Sequence, residues 1–195
     1  QITLQPIKRF DLDSAIIFSD ILIVPHGLGQ KVKFIKDLGP KLEQFDLKTF
    51  YSTDEKSFSK KLSPIYKAIE ISRENLQREK SLIAFIGAPW TLLVYMFNLK
   101  DDKGAIDLNK LYKNKLTINQ VMKGLIKFLC IHIKNQINAG ADVVQIFDSW
   151  AGLIPIDEIE EYCFNPNRQI VEFCDNYNIP SICFPKGIKQ KFKEF

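Results

Sequence analysis

One aspartate stands inside an apolar run, Ile16-Ile17-Phe18-Ser19-Asp20-Ile21-Leu22. A buried carboxylate is costly unless donors satisfy it, so Asp20 has one of two uses. It accepts backbone N–H groups and pins a neighbouring loop, or it faces a cleft where a fixed negative charge serves chemistry. Three more apolar runs end in polar residues. The run 81–87 leads into Gly87-Ala88-Pro89-Trp90-Thr91 and on to Tyr95, and the run 141–147 into Asp148-Ser149-Trp150-Ala151-Gly152. The run 179–184 leads into Pro185-Lys186-Gly187. Asp148-Ser149 reads either as a helix cap or as part of a site. Tyr95 reads either as a core aromatic with a tethered hydroxyl or as a ligand contact. Other chemistries lack their signals. His26 and His132 belong to no metal-ligand cluster, and His132 lies in a helical run. Local motifs assemble no Ser-His-Asp triad, and no glycine-rich loop has Rossmann or P-loop spacing.

The elements that position these residues follow from periodicity. Residues 14–24, 81–87, 141–147 and 179–184 are continuous apolar runs, the pattern of buried parallel strands. Phe58, Leu62, Ile65 and Ile69 recur at helical spacing after Thr53-Asp54-Glu55, which supplies capping residues. Ile118, Val121, Leu125, Leu129 and Ile133 do the same, with Thr117 as the expected N-cap and Asn138-Ala139-Gly140 as the stop. Residues 155–177 are helical in pattern with a break expected at Pro166. The gap 25–80 is too long for one helix, and its Gly/Lys-rich part (HGLGQKVKFIKDLGPK) is expected to be an elaborated loop. Strand alternating with helix gives a parallel sheet with right-handed crossovers. In such folds, chemistry gathers where strands end and βα loops begin.

A chain of 195 residues, 46% hydrophobic and 26% charged, can bury one core. It falls short of the roughly 250 residues of a complete (β/α)8 barrel, so about half a barrel, four strands, is the expectation. Gln1 opens the chain inside a segment that already reads as structured, which suggests a part of something longer. The formal charge of +4 comes from lysines spread along the chain. That is a solvated surface rather than a nucleic-acid or membrane patch. Four cysteines without C-x-x-C spacing read as buried free thiols in a reducing compartment. No apolar run approaches the roughly 18 residues of a membrane span, and no secretory signal opens the chain. A cytoplasmic protein is expected.

The strings themselves go further. LQPIKRFDLDSAIIFSDIL, FIGAPWTLLVYM, GADVVQIFDSWAG and ICFPKG resemble four successive signatures of the uroporphyrinogen decarboxylase family, in its order and near its spacing. The resemblance covers essentially all 195 residues. It implies a (β/α)8 TIM barrel, of which residues 1–195 form a partial single domain, and a homodimer needing neither metal nor organic cofactor. It also implies decarboxylation of the four acetate side chains of uroporphyrinogen III, giving coproporphyrinogen III in haem biosynthesis.

By the same resemblance, Asp20 binds the pyrrole N–H groups and is the catalytic residue. Tyr95 contacts substrate, Ser149 contacts a substrate carboxylate, and Phe18 and Phe85 line the cleft. The family's R-Q-A-G-R-Y arginine motif would precede Gln1, and its C-terminal His would follow Phe195, so these 195 residues alone are expected to lack turnover. The alternatives are a related barrel methyltransferase acting on cobalamin or a thiol, and a catalytically inert truncated chain.

Overall fold

The structure is a computed structural model that describes residues 2–35 and 39–188. In chain order the elements are α1 (Gln5–Phe10), β1 (Ser14–Ile16), α2 (Ile23–Gly27), β2 (Val32–Ile35), β3 (Gly39–Leu42) and α3 (Leu47–Ser52). They continue with α4 (Glu55–Glu74), β4 (Ser81–Gly87), α5 (Pro89–Met96), α6 (Leu108–Lys113) and α7 (Lys115–Asn138). The last are β5 (Val143–Asp148), α8 (Asn165–Asn176) and β6 (Ser181–Pro185). Four strands pair in parallel in the order β1-β4-β5-β6, and β2 and β3 form a separate antiparallel hairpin.

Helix patterning explains which face of the sheet is covered. Asp54 caps α4 by accepting from Ser57 N at 2.9 Å, and Phe58, Leu62 and Ile69 are fully buried along one stripe. On α7, Ile118, Val121, Leu125, Leu129 and Ile133 are all fully buried. Gly140 ends that helix with φ +104°, a conformation that costs glycine little. Burial then alternates along the strands. Leu82, Ala84, Ile86, Val144 and Ile146 point at the helices and are buried, whereas Ile83, Phe85, Gln145 and Phe147 on the other face are only half-buried. On the edge strands, Ile16 and Phe184 are exposed. The strands are therefore apolar on both faces, as in a barrel, but these residues cover only the outer one. Four parallel strands with helices on one side are the expected partial (β/α)8 barrel.

Several expected elements differ in detail. The first strand stops at Ile16 rather than running to residue 24, because the Asp20 side chain accepts from Leu22 N at 2.7 Å and turns the chain into α2. The third and fourth strands begin at Val143 and Ser181, two residues later than expected. Within the Gly/Lys-rich stretch, β2 pairs antiparallel with β3 where a loop is expected. Thr117 is inside α7, not at its start, since α6 leads almost directly into it through Asn114. The break at Pro166 appears as a wide turn over Glu160–Phe164 just before α8, which avoids the clash between the ring and the preceding turn. Among the described residues, α7 has the length and mean apolarity of a membrane span. Contiguous-run counting misses this because Lys123 and Lys127 interrupt the helix, whose apolar stripe packs in the core.

Candidate functional site

The C-terminal ends of β1, β4, β5 and β6 bring their loops to one rim. Backbone bonds carry the sheet beyond its strands there. Ala88 N donates to Phe147 O, Lys186 N to Asp148 O and Gly152 N to Lys186 O. The last contact is so close that a Cβ on Gly152 would lie 2.8 Å from Gly187 O. Only glycine lets the two backbones meet at this distance.

Asp20 is the clearest correction at the site. It does not lie buried in a strand but is exposed on the loop after β1. Its Oδ1 pins that loop through Leu22 N, so the loop-pinning use is present, while the carboxylate stays at the mouth. Tyr95 is half-buried near the end of α5. Burial raises its hydroxyl pKa, the nearby Trp150 side chain works against that rise, and the negative charge of Asp20 adds a smaller push upward. The Tyr95 ring lies 6.0 Å from the ring of Trp150, which follows Ser149. Ser149 is half-buried at the end of β5.

Phe18 and Phe85 line a concavity of about 350 Å³ together with Ile16, Ser19 and Phe147. Phe18 is 69% exposed. Phe85 meets Phe147 edge-on at 5.4 Å, and Phe147 meets Phe184 at 6.4 Å, so an aromatic row crosses the uncovered face just below the rim.

Asp148 is not a helix cap. Its side chain is buried, with the carboxyl between three donors: Thr91 Oγ1 at 2.7 Å, Asn167 Nδ2 at 3.1 Å and Cys163 Sγ at 3.4 Å. Burial pushes its pKa up and the three donors work against that rise. The Thr91 hydroxyl also accepts from Trp150 N at 3.1 Å, and Trp90 Nε1 donates to Trp150 O at 3.0 Å. One network therefore ties α5 to the Ser149-Trp150 turn from below. The sequence marks Thr91 at a strand end and Cys163 as a buried thiol, but nothing local links them or Asn167 to Asp148.

His132 and the cysteines lie apart from the rim residues described above or are held protonated or neutral by burial. His132 is buried, its Nδ1 3.0 Å from the Tyr66 hydroxyl, and burial lowers its pKa to about 3. All four cysteines are free, with Cys163 and Cys174 buried and Cys130 and Cys183 half-buried. Burial raises the Cys130 and Cys183 thiols to about 11, so they stay protonated at neutral pH. Among the described residues, no group of three or more His, Cys, Asp or Glu side chains is placed to hold a metal ion.

The family model described as Uroporphyrinogen decarboxylase (URO-D) matches residues 1–195. The chain is similar to the uroporphyrinogen decarboxylase of Rickettsia bellii (strain RML369-C), 37% identical over 198 residues, covering 100% of this chain and 58% of the relative. It is 41% identical over 203 residues to that of Orientia tsutsugamushi (strain Ikeda), again 100% and 58%. It is 39% identical over 193 residues to that of Campylobacter jejuni (strain RM1221), covering 96% and 57%. The chain thus spans less than two thirds of the length of these relatives. Among solved structures, a methyltransferase from Methanosarcina mazei superposes with a TM-score of 0.70 at 15% identity, over 93% of this chain and 53% of that one. At that identity the likeness concerns the fold alone.

Proposed function

Because the chain belongs to the uroporphyrinogen decarboxylase family, we propose that it supplies half of the barrel and one wall of the active site of a uroporphyrinogen decarboxylase. This carboxy-lyase would convert uroporphyrinogen III to coproporphyrinogen III. The observation that carries the proposal is that Asp20, Tyr95 and the Ser149-Trp150 turn lie on the segments that follow β1, β4 and β5 at one end of the sheet, with the Tyr95 and Trp150 rings 6.0 Å apart and Phe18 and Phe85 lining a concavity beside α1. A porphyrinogen is an apolar macrocycle with N–H donors at its centre and carboxylates at its edge, and this wall offers partners for each part.

In this mechanism Asp20 accepts several pyrrole N–H bonds at once, since a carboxylate has about four acceptor sites. Protonation of a pyrrole ring during loss of each carboxyl group creates a cation. Asp20 then holds a negative charge beside it, worth about 4 kcal/mol at ~4 Å and an effective dielectric near 20. That is roughly a thousandfold in rate, and it requires no reorganisation because the loop is already pinned. Tyr95 and Ser149 position the ring and one of its carboxylates, and Phe18 and Phe85 give the macrocycle an apolar wall. No metal or organic cofactor takes part in the proposed chemistry. The partners are the porphyrinogen and a second copy in a homodimer.

The test is Asp20→Asn in the full-length protein, assayed by conversion of uroporphyrinogen III to coproporphyrinogen III. Turnover should fall about 10²–10³-fold, as when a preorganised electrostatic group is removed. A folded variant within about threefold of the parent, on that same electrostatic scale, would remove Asp20 from the mechanism.

A further inference from the structure

The rim carries a cation that the mechanism above does not use. After α5 the chain makes a narrow loop closed by Asp107 N donating to Leu99 O at 2.8 Å and by a Lys100–Ile106 bridge. This fixes the backbone of Lys100, whose side chain reaches over Trp150. Its Nζ sits 3.8 Å from the centroid of the Trp150 ring, the same ring that Tyr95 approaches from α5. Lys100 makes no ion pair among the described residues, whereas Lys33, Lys67, Lys80 and Lys115 each reach a carboxylate. The neighbouring Asp101 carboxylate is committed to the loop itself, accepting from Lys103 N and Ala105 N at 2.9 Å.

A ring face attracts a cation without consuming its strongest hydrogen bonds. The ammonium keeps donors for an anion while its long side chain is already held in place.

We propose that Lys100 is a substrate-binding residue, taking a peripheral carboxylate of the porphyrinogen next to the group held by Ser149. The proposal rests on the functional reading above. It gives Trp150 a use as well, as the platform that aims the ammonium. An ammonium–carboxylate contact is a charge-assisted bond, and one at a rim acts on substrate capture and on its salt dependence more than on the chemical step.

The experiment uses the full-length protein with uroporphyrinogen III as substrate, comparing Lys100→Met, Lys100→Gln and Lys100→Arg. Lys56→Gln, on the exposed face of α4, is the control for general loss of charge. Both neutral variants should raise KM about tenfold, the scale of one hydrogen bond to a charged group, with kcat little changed. They should also flatten the rise of KM with ionic strength. Lys100→Arg should restore both, and the Lys56 variant should change neither.

Inhibition by coproporphyrinogen, which keeps the propionates and has lost the acetates, separates two sources of the carboxylate. If Lys100 holds a propionate, the neutral variants weaken product inhibition in step with KM. If it holds an acetate, product inhibition stays unchanged. Either result supports the assignment. A parental KM and salt dependence in both neutral variants would overturn it. So would a KM defect that Lys100→Arg shares, because the loss would then be packing on Trp150 rather than charge. An inactive parental protein would overturn the functional reading first and this assignment with it, so the two failures are distinguishable.

Discussion

The Asp148 network makes a sharp prediction, because two substitutions of similar size should differ widely in cost. Thr91→Val keeps the volume of a fully buried side chain and removes only its hydroxyl. That deletes the 2.7 Å bond to Asp148 and strips Trp150 N of its acceptor. The lost hydrogen bond is worth about 1–3 kcal/mol and an unsatisfied buried N–H costs about 1–3 kcal/mol. Trp150 N is only partly buried, so we expect a total near 3 kcal/mol.

Asp148→Asn should be far milder. Thr91 still finds an acceptor there, and the new amide N–H₂ would face Asn167 Nδ2, donor against donor. Asn167 Oδ1, however, is buried without a partner, so a half-turn of the Asn167 amide converts the clash into a bond. Removing the charge also removes the desolvation that raises the Asp148 pKa. The expected cost is about 1 kcal/mol or less, one ordinary hydrogen bond. Urea unfolding followed by the fluorescence of Trp90 and Trp150, with midpoints compared at unchanged slope, measures both. If Asp148→Asn costs as much as Thr91→Val, the amide does not turn and the charge itself holds the network.

Two further outcomes follow from the site and the core. Tyr95→Phe and Ser149→Ala each remove one neutral hydroxyl and should slow turnover or weaken binding by about 1–2 kcal/mol, less than Asp20→Asn. Steady-state kinetics in which either exceeded the Asp20 variant would reverse these roles. His132 gives a pH signature, because its pKa is lowered from 6.5 to about 3 in the fold. The folded state refuses a proton that the unfolded chain accepts. Its contribution to stability is therefore complete above about pH 6.5 and falls as pH drops toward 3, by about 1.4 kcal/mol per pH unit. Unfolding midpoints from pH 6.5 to 5 should fall more steeply in the parent than in His132→Gln, and parallel slopes would exclude His132 as the cause.

Local signals are legible where one element uses one pattern. The run 81–87 is β4 to the residue, and the Asp54 cap and Gly140 stop bound their helices as expected. The run 14–24 misled because apolarity reports burial, not conformation. Leu22 and Val24 are buried, but in a turn and a short helix packed beneath α4. Asp20 itself was the missed signal, an aspartate two residues before the amide that it turns back upon. The family motifs placed Asp20, Tyr95 and Ser149 at one end of the sheet. The clamp below them was illegible because Thr91, Cys163 and Asn167 lie 57, 15 and 19 residues from Asp148. Lys100 likewise reaches the rim only through a loop whose closure depends on backbone bonds.

The contact between Gly152 and Gly187 bears on how such a mouth can change over generations. Two backbones touch there with no side chain between them, so the loops after β5 and β6 form one continuous lip. A single substitution cannot open that side of the cleft, since either strand end could move only by carrying the other. Among the described residues no backbone bond ties the segments that bear Asp20 and Lys100 to this lip, and Lys100 meets it only through its side chain on Trp150. Variation in what the mouth admits is thereby channelled toward them, while the glycine pair keeps the opposite wall at a constant height.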